Sequence, residues 1–333
     1  MRRSLRVAQP RHEARPARLG RVERLRIGLI GWGTVGAAFG RLVLEGPLPL
    51  ALSSVSVRDA DRSRERGLPD GVPIVDPREA LNADVVVELA GGLDGPREWA
   101  KATLDRGVPY VTANKALLAT HGSELAALAE RRVAALLGSA SVGGGTPMIE
   151  TVEHLAASGE IVRLRGVVNA TTTYILAAMS RGQSYEDALA ESQEAGYAEA
   201  DPSFDVEGLD AAHKLGILAS VAWGRWRPAS DVDVTGIEGA AVTPGRTVRL
   251  VADADRDHMR VAPETLDGLD PLAVLEGVES MLEVVTRDGS TVRVSGPGAG
   301  GHVTARAVYA DVARLVAGER PILFRRDSGI VQP

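Results

Sequence analysis

Only three of the chain's 38 basic residues are lysines, Lys101, Lys115 and Lys214; the other 35 are arginines. A lysine ammonium does what a guanidinium does not: it is a compact point charge that can give and take a proton. Two of the three stand in motif-like settings, Thr112-Ala113-Asn114-Lys115 and Asp210-Ala211-Ala212-His213-Lys214. Asp210 and Lys214 are four apart, so on a helix both project from one face. An exposed pair at that spacing is ordinarily a surface salt bridge worth about 0.3–0.5 kcal/mol. The acidic stretch just upstream, Tyr197-Ala198-Glu199-Ala200-Asp201-Pro202-Ser203-Phe204-Asp205-Val206-Glu207, gives the pair a larger meaning. Carboxylates gathered near one lysine can hold the ammonium of an amino-acid substrate while the lysine works on a neighbouring oxygen. A divalent cation is the rival use of so many acids, but no His–acid ligand spacing supports it strongly. His213 lies about 100° around the helix from Lys214 and reads as a packing residue.

The elements that must position these groups begin with a short apolar strand, Arg26 to Ile30, that runs into Gly31-Trp32-Gly33-Thr34-Val35-Gly36 and an apolar-periodic helix to about Leu44. The spacing suits a pyrophosphate: the first glycine allows the tight turn, the second lets the ligand approach the backbone, and the third lets helix and strand pack closely. Further strands are predicted at 54–57, 84–89, 109–112 and 133–137, with helices over 97–106 and 122–132. Strands alternating with helices imply an α/β, Rossmann-type doubly wound parallel sheet. Arg58 and Asp59 stand side by side where an acid would mark NAD and a basic residue the 2′-phosphate of NADP. With Arg62 and Arg64 following, NADP is favoured and NAD is the alternative.

The pattern changes near Gly138. A glycine-rich loop over 139–147 precedes a helix from Met148 to Ala157 and a strand from Ile161 to Val168. Ser184 with Asp187 resembles a capping box, and Leu209 to Trp223 reads as a helix. Residues 232–294 read as short strands and turns, with a hairpin at Asp288-Gly289. Gly296-Pro297-Gly298-Ala299-Gly300-Gly301 leads into a final helix over 303–316.

Composition bounds the function classes. With 44% apolar and 25% charged residues the chain can bury ample surface. No apolar run is long enough to span a membrane, so no membrane partner is expected. The absence of cysteine excludes disulfides, a thiol nucleophile and thiolate metal sites, and fits a cytoplasmic location. The net charge of −6 hides +7 over residues 1–26, leaving −13 on the rest. A body so acidic is not expected to bind nucleic acid; residues 1–25 read as a basic, disordered tail.

Seven segments carry a resemblance to the homoserine dehydrogenase family, from about Arg26 to Val316: GLIGWGTVG (28–36), VVVELAGG (85–92), VTANKALLA (111–119), SVGGGTP (141–147), VVNATTTYIL (167–176), GYAEADPSFDVEGLDAAHKL (196–215) and GPGAGG (296–301). The resemblance implies reversible NAD(P)-dependent reduction of L-aspartate 4-semialdehyde to L-homoserine, a step of threonine and methionine biosynthesis. It implies Lys214 as the acid/base residue, Asp210 as its partner at the reacting oxygen, and Lys115 at the junction of nicotinamide and substrate. Glu199 would bind the substrate ammonium, with Asp205, Tyr197 and Thr171 nearby. The cofactor would lie on Gly31, Gly33, Thr34, Val35, Gly36, Arg58, Ala90, Gly91, Asn114, Lys115 and Gly300. The backbone of Val142, Gly144 and Thr146 would hold a monovalent cation such as sodium.

The same resemblance implies a dinucleotide-binding domain over 26–138 and 296–320, an α+β substrate-binding and dimerisation domain over 139–295, and a homodimer or homotetramer. With so little chain after the last helix, feedback control through a regulatory domain is not expected. Three residues depart from the family pattern. Ser139 stands in place of a glutamate that helps bind the cation. Ala170 replaces a glycine at a position where φ > 0 is a concern, and Thr173 replaces an asparagine. The last two motivate a diverged relative that reduces another amino-acid semialdehyde. A non-catalytic dinucleotide sensor would be expected to have lost Asp210, Lys214 or Glu199, and all three are present.

Overall fold

The computed structural model describes residues 24–158 and 161–324, so most of the basic tail foreseen over 1–25 lies outside the described residues. The chain runs β1 (Leu25–Ile30), α1 (Thr34–Glu45), β2 (Leu50–Ser56), α2 (Ala60–Glu65), α3 (Pro77–Ala80), β3 (Val85–Glu88), α4 (Asp94–Leu104), β4 (Tyr110–Thr112), α5 (Lys115–Arg132) and β5 (Leu136–Leu137). It continues through α6 (Met148–Ala156), β6 (Ile161–Val167), α7 (Ala170–Ser180), α8 (Tyr185–Glu194), α9 (Ser203–Val206) and α10 (Leu209–Trp223). Last come β7 (Asp233–Val234), β8 (Thr247–Ala254), β9 (Met259–Leu266), β10 (Glu279–Thr286), β11 (Thr291–Pro297) and α11 (Gly301–Val316).

The first sheet is wholly parallel in the order β2-β1-β3-β4-β5. Its strands are apolar on both sides because helices cover both faces. In β3, Val85 and Val87 enter the core beneath α1 and α11, while Val86 enters the core on the other face. The strand order reverses between β1 and β3, and in such sheets a crevice opens there, beyond the carboxyl ends of the strands. Helix α11 returns from the far end of the sequence to pack on α1, its Ala305, Val308 and Val312 sharing a core with Phe39 and Val43.

The second sheet is mixed, in the order β11-β10-β6-β8-β9-β7, with only β7 and β9 paired in parallel. Its strands β8, β9 and β10 are eight residues each, longer than the short strands expected. The hairpin between β10 and β11 turns at Asp288-Gly289 as foreseen, with Gly289 at φ 85°. One core joins the two sheets: Leu117 and Leu125 of α5 meet Leu215 and Leu218 of α10, backed by Leu164, Leu250 and Val284 of the second sheet. Helices α5 and α10, which carry Lys115 and Lys214, therefore pack at the seam between the sheets.

Candidate active site

Lys115 is the first residue of α5. The helix starts there, rather than near Gly122, because Asn114 caps it, its Oδ1 accepting from the Leu117 N–H at 3.0 Å. A cation in a first turn opposes the helix dipole, so Lys115 needs an anion nearby. Asp210 supplies it from the first turn of α10, where a carboxylate is favoured. Gly208 makes the approach possible: at φ 84° it turns α9 sharply into α10, and a side chain there would meet Val234 at 2.9 Å.

Asp210 is 1% exposed, and both its oxygens face ammonium groups. Oδ1 contacts Lys115, and Oδ2 lies 2.8 Å from Lys214 and accepts from Asn169 Nδ2 at 2.8 Å. Burial alone would raise the Asp210 pKa, but Lys214 and Lys115 together override it and hold the carboxyl well below the usual carboxylate range. Lys214 also donates to the Val168 carbonyl at 2.6 Å. Its Nζ is thus aimed by a carboxylate and a carbonyl fixed at the end of β6. The pair expected as a surface salt bridge, if read alone, is buried.

Asn169 caps α7 through Thr172 N–H at 2.8 Å and uses its amide to join Asp205 (2.7 Å) to Asp210. Of the other residues expected around a substrate, Thr171 donates to the Tyr197 carbonyl at 3.0 Å, fastening that segment to α7. The Tyr197 ring lies 4.9 Å from that of Tyr174. Glu199 has an exposed side chain, and its carbonyl accepts from Gln193 at 3.1 Å. The structure brings Asp205, Asp210, Lys115 and Lys214 together, and it gives Glu199 no contact with them. Phe204 packs between the Lys115 ammonium (5.5 Å to the ring centroid) and His213 (5.1 Å, edge on). His213 is a packing residue as read from its helical position, and burial lowers its pKa. Among the described residues, no three of His, Asp and Glu converge as metal ligands.

Two departures from the family pattern resolve simply. Ala170 is the first residue of α7 and is not among the residues with positive φ, so a glycine is not required for backbone reasons. Thr173 is buried with its hydroxyl donating to the Asn169 carbonyl at 2.8 Å, turned into the helix rather than toward the lysines.

The cleft at the reversal point has a volume of about 770 Å³ and is lined by Gly31, Gly33, Arg58, Asp59, Arg62 and Gly91 among others. Gly31 holds φ 104°, and a side chain there would meet Leu89 and Ala90 backbone at 2.7 Å. At Gly36 a Cβ would lie 2.1 Å from the Gly31 carbonyl oxygen, while at Gly33 nothing lies within 4 Å. That is the division of labour a bound pyrophosphate requires, with the open side at the second glycine and the Thr34-Val35-Gly36 turn of α1 behind it. Gly300, at φ 136°, precedes Gly301, whose Cβ would meet Thr34 Cγ2 at 2.4 Å, so α11 begins against the start of α1.

Asp59 accepts from Arg62 N–H at 2.9 Å as the cap of α2, which engages the acid that stands where NAD would be marked. Arg64, expected to add positive potential, instead donates to the carbonyls of Leu68, Pro69 and Val72. Arg58, Arg62 and Arg66 line the cleft.

Two buried acids, one beside the cleft and one beside the 139–147 loop, carry no signal in the sequence. Glu88, at the end of β3, accepts from the N–H groups of Ala90 (2.8 Å) and Gly91 (2.9 Å) and from the Thr112 hydroxyl (2.7 Å). Ala90 and Gly91 therefore turn their N–H groups inward, and offer a ligand carbonyls and bare backbone. Asp311, on α11, accepts from Ser139 Oγ (2.7 Å) and N (3.1 Å). Burial pushes its pKa up to about 7 against those hydrogen bonds, with Glu150 adding to the rise. The loop over 139–147 thus has a carboxyl beside it although residue 139 is serine. Of the three loop carbonyls expected to bind a cation, that of Thr146 accepts from Met148 N–H at 2.7 Å.

Residues 31–137 match the family described as homoserine dehydrogenase, NAD binding domain, and residues 147–313 match homoserine dehydrogenase. The chain is 33% identical to the homoserine dehydrogenase of Bacillus subtilis over 90% of its length and 74% of that protein's. It is 37% identical to that of Corynebacterium glutamicum over 86% of this chain and 70% of that one. Among solved structures, a homoserine dehydrogenase from Thiobacillus denitrificans superposes with a TM-score of 0.86 at 30% identity, covering 93% of this chain and 79% of that one. A hyperthermophilic archaeal homoserine dehydrogenase in complex with NADPH gives 0.81 at 30% identity, covering 90% and 99%. The chain belongs to the homoserine dehydrogenase family.

Proposed function

We propose that in the NAD(P)-dependent interconversion of L-aspartate 4-semialdehyde and L-homoserine this chain uses Lys214 as proton donor to the aldehyde oxygen. The observation that carries the reading is the Lys214 ammonium held at 2.8 Å from buried Asp210 and 2.6 Å from the Val168 carbonyl. A reduced nicotinamide bound at the cleft supplies the hydride. As negative charge develops on the substrate oxygen, Lys214 stabilises and protonates it. Asp210 keeps Lys214 and Lys115 aimed at one point, and Lys115 closes the cofactor side. Asp205 and Glu199 receive the substrate ammonium, with Tyr197 and Thr171 fixing the segment that carries Glu199. In the reverse direction Lys214 accepts the homoserine hydroxyl proton.

NADP is the preferred cofactor in this reading. Asp59 is engaged as a helix cap, while the guanidiniums of Arg58, Arg62 and Arg66 line the cleft, as a 2′-phosphate would require. The dinucleotide half comprises 26–138 with 296–320, and 139–295 forms the substrate-binding and dimerisation half of a cytoplasmic homodimer or homotetramer. A monovalent cation at the carbonyls of Val142, Gly144 and Thr146 completes the proposal. Sodium titration against choline at fixed ionic strength tests that part.

The deciding assay gives purified protein homoserine with NADP or NAD and follows absorbance of the reduced nicotinamide. Turnover on homoserine, faster with NADP, is expected. Folded protein that reduces neither cofactor with homoserine, yet acts on a longer or N-substituted analogue, would replace this reading.

A further inference from the structure

Glu88 is a carboxylate at the end of a strand whose other three residues are valines buried on both faces. Burying such a group is unfavourable unless every lone pair finds a donor, and burial does push its pKa up, against the pull of its hydrogen bonds. Its partners all come from the carboxyl edge of the sheet, the loop after β3 and the last residue of β4. Gly91 and Gly92 sit at φ 71° and 85°, curling the loop after β3 so that two N–H groups converge on one Glu88 oxygen. The other oxygen accepts from Thr112, at the end of β4. Thr112 Oγ1 accepts from Asn114 N–H at 2.9 Å, and Asn114 Nδ2 returns to the Gly92 carbonyl at 2.7 Å. The ring closes through the chain itself: Glu88 to Thr112, Thr112 to Asn114, Asn114 to Gly92, and from Gly92 along the backbone to Gly91, whose N–H returns to Glu88. Its exit is Asn114, whose remaining oxygen starts α5 and so sets Lys115 against Asp210.

We propose that Glu88 is a positioning residue for the reaction, bracing the two loops between which the nicotinamide end of the cofactor lies and, through Thr112 and Asn114, aiming Lys115. This rests on the dinucleotide cleft and lysine roles given above. A carboxylate suits the position because it accepts at both ends. An amide of the same size must turn its NH₂ toward either the two backbone N–H groups or Thr112, and so breaks the ring on one side.

The test is Glu88→Gln, read by kcat, by the KM for homoserine, and by the affinity for 2′,5′-ADP, which occupies only the adenosine half of the cleft. The expected result is a fall in kcat of at least tenfold with 2′,5′-ADP binding within twofold of the parent. Thr112→Val should reproduce the loss, Thr112→Ser should restore kcat to within threefold, and the Glu88→Gln/Thr112→Val double variant should be no worse than either single one. Equal losses in kcat and in 2′,5′-ADP affinity would reduce Glu88 to a general support of the fold and overturn the proposal; so would kcat retained within twofold. If Glu88→Gln does not fold, the Thr112→Val and Thr112→Ser pair decides, equal kcat in the two being the adverse result. Homoserine turnover by the parent is measured separately, so a failed lysine assignment is distinguishable from a failed brace.

Discussion

Lys115 and Lys214 meet at opposite oxygens of one carboxylate, Asp210, although one comes from the parallel sheet's side of the seam and the other from the mixed sheet's. Two ammoniums sharing a single buried counter-charge leave an electropositive point, and that is where an aldehyde oxygen gaining negative charge is best placed. Lys214→Ala should therefore lower kcat by about 10²- to 10⁴-fold, the usual worth of a positioned acid. The Kd for NADPH should stay within twofold. Lys214→Arg should fail as well, because a guanidinium does not release its proton at neutral pH. Stopped-flow turnover beside a fluorescence titration of NADPH checks both; turnover of Lys214→Ala within a fewfold of the parent would move the proton donor elsewhere.

Arg58, in the lining of the cleft, should select the cofactor. Losing a charge-assisted contact to a 2′-phosphate costs about 1.5–3 kcal/mol, or about 10- to 100-fold in kcat/KM. Arg58→Ala should show that loss with NADP and change NAD by less than threefold. Equal effects on both cofactors would mean that Arg58 does not meet the phosphate.

Asp311 makes stability depend on pH. Its pKa is raised from 3.8 to about 7 in the fold, burial being the main cause, so the folded chain prefers the protonated acid. That contribution is fully present below about pH 4, is lost as pH rises, and is gone above about pH 7. Asp311→Asn is neutral throughout and can pair with Ser139 in the same two places. Its stability relative to the parent should rise between pH 5 and pH 8, by on the order of 1–4 kcal/mol. Denaturant midpoints at the two pH values measure this, and a constant difference would show that Asp311 is already ionised at pH 5.

Lys101, the lysine without a motif, has a plain structural account. It pairs with Glu124 at 2.7 Å on an exposed face that Arg97 also shares. Such pairs are worth about 0–1 kcal/mol. Lys101→Arg should leave Tm and kcat unchanged within error, and a clear loss in either would point to a role beyond the surface pair.

Much of the site was legible because its signals are local. The glycine turn after β1, the Ser184 cap of α8, whose Oγ accepts from Asp187 N–H at 3.1 Å, and the helix from Leu209 to Trp223 all depend on neighbours a few residues apart. The start of α5 is local too: Asn114 belongs to the Thr112–Lys115 motif and is also the helix cap. What stayed hidden was long-range. Asn169 reaches Asp205 and Asp210 across 36 and 41 residues, Glu88 reaches Thr112 across 24, and Ser139 reaches Asp311 across 172. No periodicity or spacing encodes such pairings; only the folded topology brings them within reach. Asp59 and Arg64 show the converse. Their charges were visible, but the backbone groups that claim them were not.

The docking of α11 onto α1 has a consequence for how the chain comes to be. The strands of the parallel sheet leave the ribosome first, yet the helix that covers Phe39 and Val43 follows only after the whole mixed sheet has been made. Until then one face of the nascent sheet stays open, with Ala305, Val308 and Val312 not yet translated. Vectorial folding cannot finish the first half before the second exists. Truncation after β5 should yield a sticky, chaperone-dependent fragment rather than a miniature cofactor binder.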